Sequence, residues 1–378
     1  MKKNKILFYI DPQSYNNLSI YDKSLLEQVK GWDIYYFHNV KYQCERIPGV
    51  NYIPAFAYSD LSGLKKLASY VASIKRVIQA ARRLHPSVVH IQWFKFFPVD
   101  VFLVACLHLM HCKIVYTAHN VLPLTKHRRD KFVFRWFYRH ADAIIVHTEN
   151  SKRELVKLCP SAESKVNVIR HGMLSTALDN AAVSDRCKAL EEKFQAKGKI
   201  VFASMGYQNY YKGIDILAEA WASSPLLGGN DKVALFIVGK SEGAHYDNLK
   251  DCSNVYIVNE VVSDLDFDAY LRLASAVVLP YRRIYQSGFL FTALQRGVPV
   301  IVSNVGGLPE PLKLAKVGWN IGETSVDNLK KALENIVQAP DSLFAIKNDR
   351  EAFETVRKEY SWDKIGQQTS ELYTRVLS

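Results

Sequence analysis

The sequence predicts an α/β protein built from two doubly wound domains, and three observations carry that prediction. Short apolar, β-branched runs alternate with segments of helical period through both halves of the chain. One polar, weakly periodic stretch, roughly 173–198, interrupts the alternation before a new apolar run opens at Ile200–Ala203. A length of 378 residues suffices for two domains that each bury a sizeable core. The expected divisions are residues 1–175, residues 176–360 and a terminal helix, 361–378.

In chain order, Ile6–Ile10 reads as a buried strand, followed by the loop DPQSYNNLS, which contains Tyr15 and Asn16. That loop lacks glycine, and no GxGxxG occurs anywhere in the chain. A helix over Ile20–Val29 and a strand over Asp33–Phe37 follow. Residues 61–84 form the clearest helix, with Leu61, Leu64, Leu67, Ala68, Val71, Ile74, Val77, Ile78, Ala81 and Leu84 as its apolar stripe. Lys65, Lys66, Lys75, Arg76, Arg82 and Arg83 fall off the stripe, forming either a solvated face or one that rests on anionic headgroups.

Val88–Gln92 and Ile114–Thr117 are further strands, and Ala118-His119-Asn120 stands at the carboxyl end of the second, where ligand-contacting side chains project. Lys126–His140 interleaves six Lys and Arg with five aromatic residues. Its helical spacing of Phe132, Trp136 and Arg139 favours a membrane interface over a flat platform for single-stranded nucleic acid. Strand Ala143–Val146, helix Glu149–Leu158 and strand Val166–Ile169 lead to Arg170-His171-Gly172.

In the second half, Ile200–Ala203, Val233–Val238 and Val255–Val258 read as strands and Asp264–Leu273 as a helix. The loop Gly206–Gly213, GYQNYYKG, presents backbone amides and Lys212 ahead of a helix, which suits a diphosphate although the P-loop spacing is missing. Residues 277–310 run strand, loop, helix, strand, loop. Arg282, Arg283, Gln286, Ser287 and Gly288 precede the helix Phe289–Arg296, and Gly297 is placed to cap its end. The final helix covers about Trp362–Leu377.

Composition narrows the function classes. The net charge of +12 is uneven: residues 1–170 carry 26 Lys and Arg against 12 Asp and Glu, and the remainder 23 against 25. One domain is therefore expected to face an anionic surface, nucleic acid or membrane. Six cysteines without a CxxC pair predict thiols in a reducing compartment. The start, MKKNKILFYID, has too few apolar residues for a signal peptide, so the expected location is cytoplasmic. Asp264, Asp266 and Asp268 lack the EF-hand pattern and read as acids in a helix's first turn. His108, His111 and Cys112 read as core, and neither a nucleophile elbow nor HExxH is present, so no metal is expected.

The order of these landmarks resembles the family 4 glycosyltransferases of the GT-B fold over nearly the whole chain. The resemblance rests on His119 in TAHN, IRHG at 169–172, and Gly206 with Lys212-Gly213. It extends to LPY at 279–281, ALQRGVPVIVSNVGGLPE at 293–310, and Ser361-Trp362. It implies two Rossmann-like domains facing across a cleft, an acceptor-binding first domain, a nucleotide-sugar-binding second domain, and a last helix that returns to the first. Tyr207 stands where the family usually has arginine, and Ile284 and Thr292 where it has paired glutamates. The chain is similar instead to a subgroup with a Gln-Ser-Gly turn.

The resemblance implies a retaining, metal-independent hexosyltransferase that uses a UDP- or GDP-linked sugar as co-substrate and needs no further cofactor. Its expected acceptor is lipid-linked, a glycolipid or a polysaccharide repeat, met at the inner face of the membrane through the basic first domain. His119 and Lys212 are the expected catalytic residues. Gly206, Tyr207, Lys212, Tyr281, Arg282, Arg283, Gln286, Ser287, Gly288 and Phe289 are expected on the donor, and Asn120, Tyr15, Asn16 and His171 on the sugar or acceptor side. A non-catalytic nucleotide-sugar-binding protein on the same fold is the alternative, and a nucleic-acid-binding protein a more distant one; nucleic acid is not expected as a partner.

Overall fold

In the computed structural model, residues 5–15, 17–123, 128–173, 180–241, 243 and 246–378 are described. Asn16, Lys126 and His127 lie outside them. The chain forms two compact units, residues 1–172 with 360–378, and residues 173–359.

The first unit begins β1 (Ile6–Asp11), α1 (Asn17–Leu26), β2 (Asp33–Asn39), β3 (Val50–Phe56), α2 (Gly63–Leu84) and β4 (Val88–Ile91). It continues α3 (Phe97–Leu109), β5 (Lys113–Thr117), α4 (Arg128–His140), β6 (Ala143–Val146), α5 (Glu149–Leu158) and β7 (Val166–Val168). The strands form one parallel sheet in the order β3-β2-β1-β4-β5-β6-β7. Its central strands are buried on both faces, which is why Ile6–Ile10 of β1 and the whole of β6 read as unbroken apolar runs. The sequence reading omits β3. It is an edge strand, half-exposed and carrying Pro54, a residue that only an edge accommodates.

Helix α2 differs from its expected stripe. Tyr70, Ser73, Ile74, Val77, Ile78 and Ala81 are buried, whereas Leu64, Leu67 and Val71 are 84%, 37% and 46% exposed. A helix of 3.6 residues per turn buries one narrow face, and here Tyr70 sets it. The Tyr70 ring lies against Phe56 and Tyr58, and its hydroxyl donates to Asp100 at 2.6 Å. The leucines of the first turns are thereby rotated outward.

The second unit comprises α6 (Asn180–Lys193), β8 (Ile200–Met205), α7 (Ile214–Ala222), β9 (Val233–Val238), β10 (Val255–Val258), α8 (Asp264–Leu273) and β11 (Ala276–Leu279). Then follow α9 (Gly288–Gln295), β12 (Val300–Val302), β13 (Gly318–Asn320), α10 (Val326–Gln338), α11 (Pro340–Asn348) and α12 (Arg350–Glu359). Its sheet, again parallel, runs β10-β9-β8-β11-β12-β13. Phe202, Leu217, Trp221, Leu235, Val278 and Ile301 share its core. Helix α6 falls where only polar, weakly periodic sequence was read. It buries only Val183 and Leu190, too few to make a visible period. In α8, Ser263 caps the helix, the Asp266 carboxylate pairs with Arg186, and buried Asp268 pairs with Arg272 and Arg296 at 3.1 and 2.6 Å, so Asp266 and Asp268 serve structure.

The chain then re-enters the first unit as α13 (Trp362–Arg375), which packs on α1. Trp362 sits edge-on to Tyr21 at 5.2 Å, and the Tyr373 hydroxyl donates to His90 Nδ1 at 2.5 Å. Gly172, the last residue of the first segment, lies against the Trp362 indole so closely that a Cβ would fall inside the ring's contact distance. Gly172→Ala is therefore expected to destabilise the protein by about 1–3 kcal/mol, read as a lower urea midpoint; an unchanged midpoint would show that α13 does not hold this position.

Candidate active site

Open parallel sheets bind ligands beyond the carboxyl ends of their strands, where the strand order reverses and adjacent loops part. In the second unit that point lies between β8 and β11. The loops leaving those strands, 206–213 and 280–287, meet there. The Arg282 N–H donates to the Tyr211 carbonyl at 2.8 Å. Gly213, in the left-handed region at φ 66°, packs so tightly on the Pro280 carbonyl that no side chain fits. Its turn also opens α7, so the first amides of that helix face the loop.

Lys212 stands in this loop, half-buried, with Nζ 5.8 Å from the centre of the buried Tyr281 ring. Burial pushes its pKa down to about 8. Among the described residues no carboxylate forms an ion pair with it, in contrast to Arg282. Arg282 makes a two-pronged contact with Asp215, 2.6 Å on each side, donates to the Tyr210 carbonyl at 2.9 Å and stacks on the Tyr210 ring at 4.1 Å. It braces the loop, and its charge is already matched. The Tyr281 carbonyl accepts from the Ser303 and Thr324 hydroxyls at 2.7 and 2.9 Å, which pins the second loop.

Ser287 caps α9, its Oγ accepting from the Leu290 N–H at 3.3 Å, and Gly288 is the exposed first residue of that helix. Arg283 and Gln286 are half-buried. Tyr207, after Gly206 at φ 91°, is 42% exposed. Phe289 turns its ring to Phe267, at 5.8 Å and nearly perpendicular.

The first unit assembles a row of imidazoles. Strands β4, β5, β6 and β7 are neighbours, and His90, His119, His147 and His171 stand in or just beyond their carboxyl ends. His119 Nδ1 lies 3.1 Å from His147 Nε2, and His147 Nδ1 lies 2.9 Å from the Ile169 carbonyl. His119 Nε2 is 2.8 Å from the Gln92 amide atom assigned as Oε1, and the other, assigned as Nε2, is 3.0 Å from His90 Nε2. Trp93 lies flat on His119, 4.7 Å away and tilted by 10°, while Tyr21 meets it edge-on at 5.1 Å. The His171 ring is 4.9 Å from Tyr21 and 5.3 Å from His147.

Burial, and then the neighbouring His147, His171 and His90, hold His119 far below the usual imidazole range. Burial likewise holds His90 and His147 down at about 3 and His171 at about 4. The proton positions follow. The Ile169 carbonyl only accepts, so His147 carries its proton on Nδ1 and accepts at Nε2 from His119 Nδ1–H. Neutral His119 then has a bare Nε2, and a donor must face it, which exchanges the Gln92 amide oxygen and nitrogen: NH2 toward His119, Oε1 toward His90 Nε2–H.

His119 and His171 thus share one cluster, with Asn120 half-buried beside it and Tyr15 half-buried in the turn after β1. Sequence reasoning missed Tyr21, Gln92, Trp93 and His147. A usable signal was present: a histidine recurs at or just past the end of four successive strands. Among the described residues no group of three or more His, Cys, Asp or Glu is arranged to hold a metal ion.

Comparison with known proteins identifies the architecture. The profile of Glycosyltransferase Family 4 matches residues 31–173, and that of Glycosyl transferases group 1 matches residues 197–339. Over 245 residues the chain is 25% identical to a glycogen synthase of Mycobacterium tuberculosis, covering 63% of this chain and 55% of that protein. The chain thus spans about half the length of the curated relatives it matches. Sucrose-phosphate synthase from Thermosynechococcus elongatus superimposes with a TM-score of 0.72 at 18% identity, over 99% of both chains. Anabaena HepE in complex with UDP-glucose does so with a TM-score of 0.69 at 14% identity, over 99% of this chain and 100% of that one. The chain belongs to the family 4 glycosyltransferases of the GT-B fold.

Proposed function

We propose that the protein is a retaining hexosyltransferase that takes its sugar from a nucleotide-diphosphate donor and acts on a lipid-linked or saccharide acceptor at the inner membrane face. The observation that carries the donor half is Lys212: a half-buried cation, unmatched by any carboxylate among the described residues, in the loop that opens α7 at the reversal of strand order. A diphosphate supplies the missing charge, and the leaving nucleotide's developing negative charge is stabilised by Lys212 and the helix amides without a metal. Solved structures of the same fold hold UDP and UDP-glucose, which supports this reading.

His119 has the part of a neutral polar contact to the donor sugar. Its pKa is too low for a general base near neutral pH, and its proton is committed to His147. His147 and Gln92 are positioning residues that fix its tautomer. The turn Gln286-Ser287-Gly288 stands in place of the paired glutamates and contributes the amides of α9.

Three helices of the first unit support the membrane half. Phe102 and Leu109 on α3 and Phe132 on α4 are 60%, 81% and 70% exposed, and the outward leucines of α2 add to them. Lys65, Lys66 and Lys75 on α2 and Lys131, Arg135 and Arg139 on α4 accompany them, which suits an anionic interface. Among the described residues no helix is long and apolar enough to cross a membrane.

Lys212→Ala should weaken UDP binding by about ten- to a hundredfold in calorimetry, the loss of one charge-assisted contact. Unchanged affinity would remove the diphosphate assignment. Lys212 loses its charge as pH rises through about 8, so wild-type UDP affinity should fall between pH 7 and 9, and that fall should vanish in the alanine variant. Gln92→Glu would set a carboxylate against His119 Nε2 and favour the imidazolium, raising the pH at which His119 protonates. Nitrogen NMR of the imidazoles reads this directly, and an unmoved titration would contradict the proton assignment.

A further inference from the structure

The second unit holds a cleft at the edge of its sheet opposite the loops 206–213 and 280–287. Helix α9 carries the chain from those loops back to the amino end of β12. Its end, Arg296 and Gly297, forms one wall of a cleft of about 730 Å³, which falls within the range of small-molecule sites. Lys347 and Asn348 at the end of α11 form a second wall, and α12 the third. From α12 come Arg350, Phe353, Glu354 and Arg357, whose spacing of three and four residues puts them on one side of a helix, with Glu351 beside them.

Four cations and two carboxylates line this cleft, an excess of two positive charges. Neutral groups fix two of the cations. Lys347 Nζ donates to the Ala274 carbonyl, at the end of α8, at 2.8 Å, and Arg357 Nε donates to the Gln295 carbonyl, at the end of α9, at 3.1 Å. A carbonyl orients a cation without cancelling its charge, and each contact takes up only part of the donor capacity of the group. The Arg357 guanidinium lies 3.5 Å from where a Cβ would stand on Gly297, and 6.0 Å from the centre of the buried Phe353 ring.

The acids at hand do not match the cations. Arg296 shares the single Asp268 carboxylate with Arg272, and Glu354 reaches Arg357 at 3.3 Å. The Asp349 carboxylate turns to the Ala352 N–H at 3.0 Å. Among the described residues neither Lys347 nor Arg350 has an ion-pair partner, and Arg350 is exposed. Offsetting the dipoles of α8 and α9 accounts for Lys347 and Arg357 as single bonds. It accounts neither for Arg350 nor for the convergence of all three.

Pre-positioned cations grip phosphate oxygens through charge-assisted hydrogen bonds, arginine with a planar fork. A phosphate monoester carries about two negative charges near neutral pH, which equals the excess in the lining. Glu351, Glu354 and Asn348 are exposed in the same cleft and offer acceptors for hydroxyl groups. We propose that this cleft binds a phosphorylated sugar, with its phosphate at Lys347, Arg350 and Arg357 and its hydroxyls at Glu351, Glu354 and Asn348. The site is separate from Lys212, since α9, about 12 Å long, runs between this cleft and the turn at Ser287.

The test is calorimetry on the full-length protein with mannose 6-phosphate, mannose, inorganic phosphate and UDP as separate ligands. Mannose 6-phosphate should bind, and more tightly than mannose or inorganic phosphate. Arg350→Glu should weaken it by about tenfold or more and leave UDP affinity unchanged, with circular dichroism showing the fold retained. Glu351→Ala removes a hydroxyl acceptor and a negative charge together. Both phosphate ligands gain from the second change, so the ratio of their affinities isolates the first, and the preference for mannose 6-phosphate should fall by about threefold or more. Lys212→Ala should leave mannose 6-phosphate affinity unchanged. No binding, equal binding by wild type and Arg350→Glu, or a preference that Glu351→Ala does not move would each overturn the inference. Binding that UDP displaces and Lys212→Ala abolishes would place the sugar phosphate in the donor loop and overturn it as well.

Discussion

The reversal of strand order in each parallel sheet is the constraint on which the rest depends. A parallel sheet sends all its carboxyl-end loops to one edge, and only where the order reverses do neighbouring loops turn apart and leave room. In the second unit this happens between β8 and β11, and the space is bordered by Lys212 and the braced loop from Tyr281. In the first it happens between β1 and β4. Neither location is a choice of individual side chains. The side chains decide only what fits: in the second unit, a braced loop and, in Lys212, a cation without an ion-pair partner among the described residues.

The division of labour follows from charge and packing together. The second unit is nearly neutral over its length, and Lys212, without an ion-pair partner among the described residues, makes an anion site of small extent at the loop junction. The first unit carries the whole basic excess, spread over helices whose outward residues include large apolar ones. Charge spread over a surface suits an extended partner, while charge held in a loop suits a compact one. The histidine row of the first unit is kept neutral by burial and works through hydrogen bonds and shape.

Much of this was legible in the chain. Buried parallel strands announce themselves as apolar runs, so β1, β4, β6, β9 and β11 stand out, and the loop at 206–213 is visible from its glycines and lysine. What was hidden shares a physical cause: it depends on neighbours distant in sequence. The edge strand β3 has no period because only one side of it is covered. Helix α6 has too small a buried face to show one. The outward turn of Leu64 on α2 depends on where Tyr70 finds Asp100. Arg282 looks like a free cation until Asp215, 67 positions earlier, is placed beside it. His147 matters only through His119, and a residue that acts through another leaves no motif of its own.

The return of α13 to the first unit has a consequence for how the molecule is made. Residues 173–359 are, in chain order, an insertion within the first unit, whose sheet is complete by Val168 but whose His90 awaits the Tyr373 hydroxyl. During synthesis the second unit emerges and has all its residues before the first obtains its last helix. Until then the surface of α1 that meets α13, the indole site over Gly172 and the inner end of the histidine row stay uncovered. The helix whose arrival seals the core behind His119 thus leaves the ribosome only after the whole of the second unit.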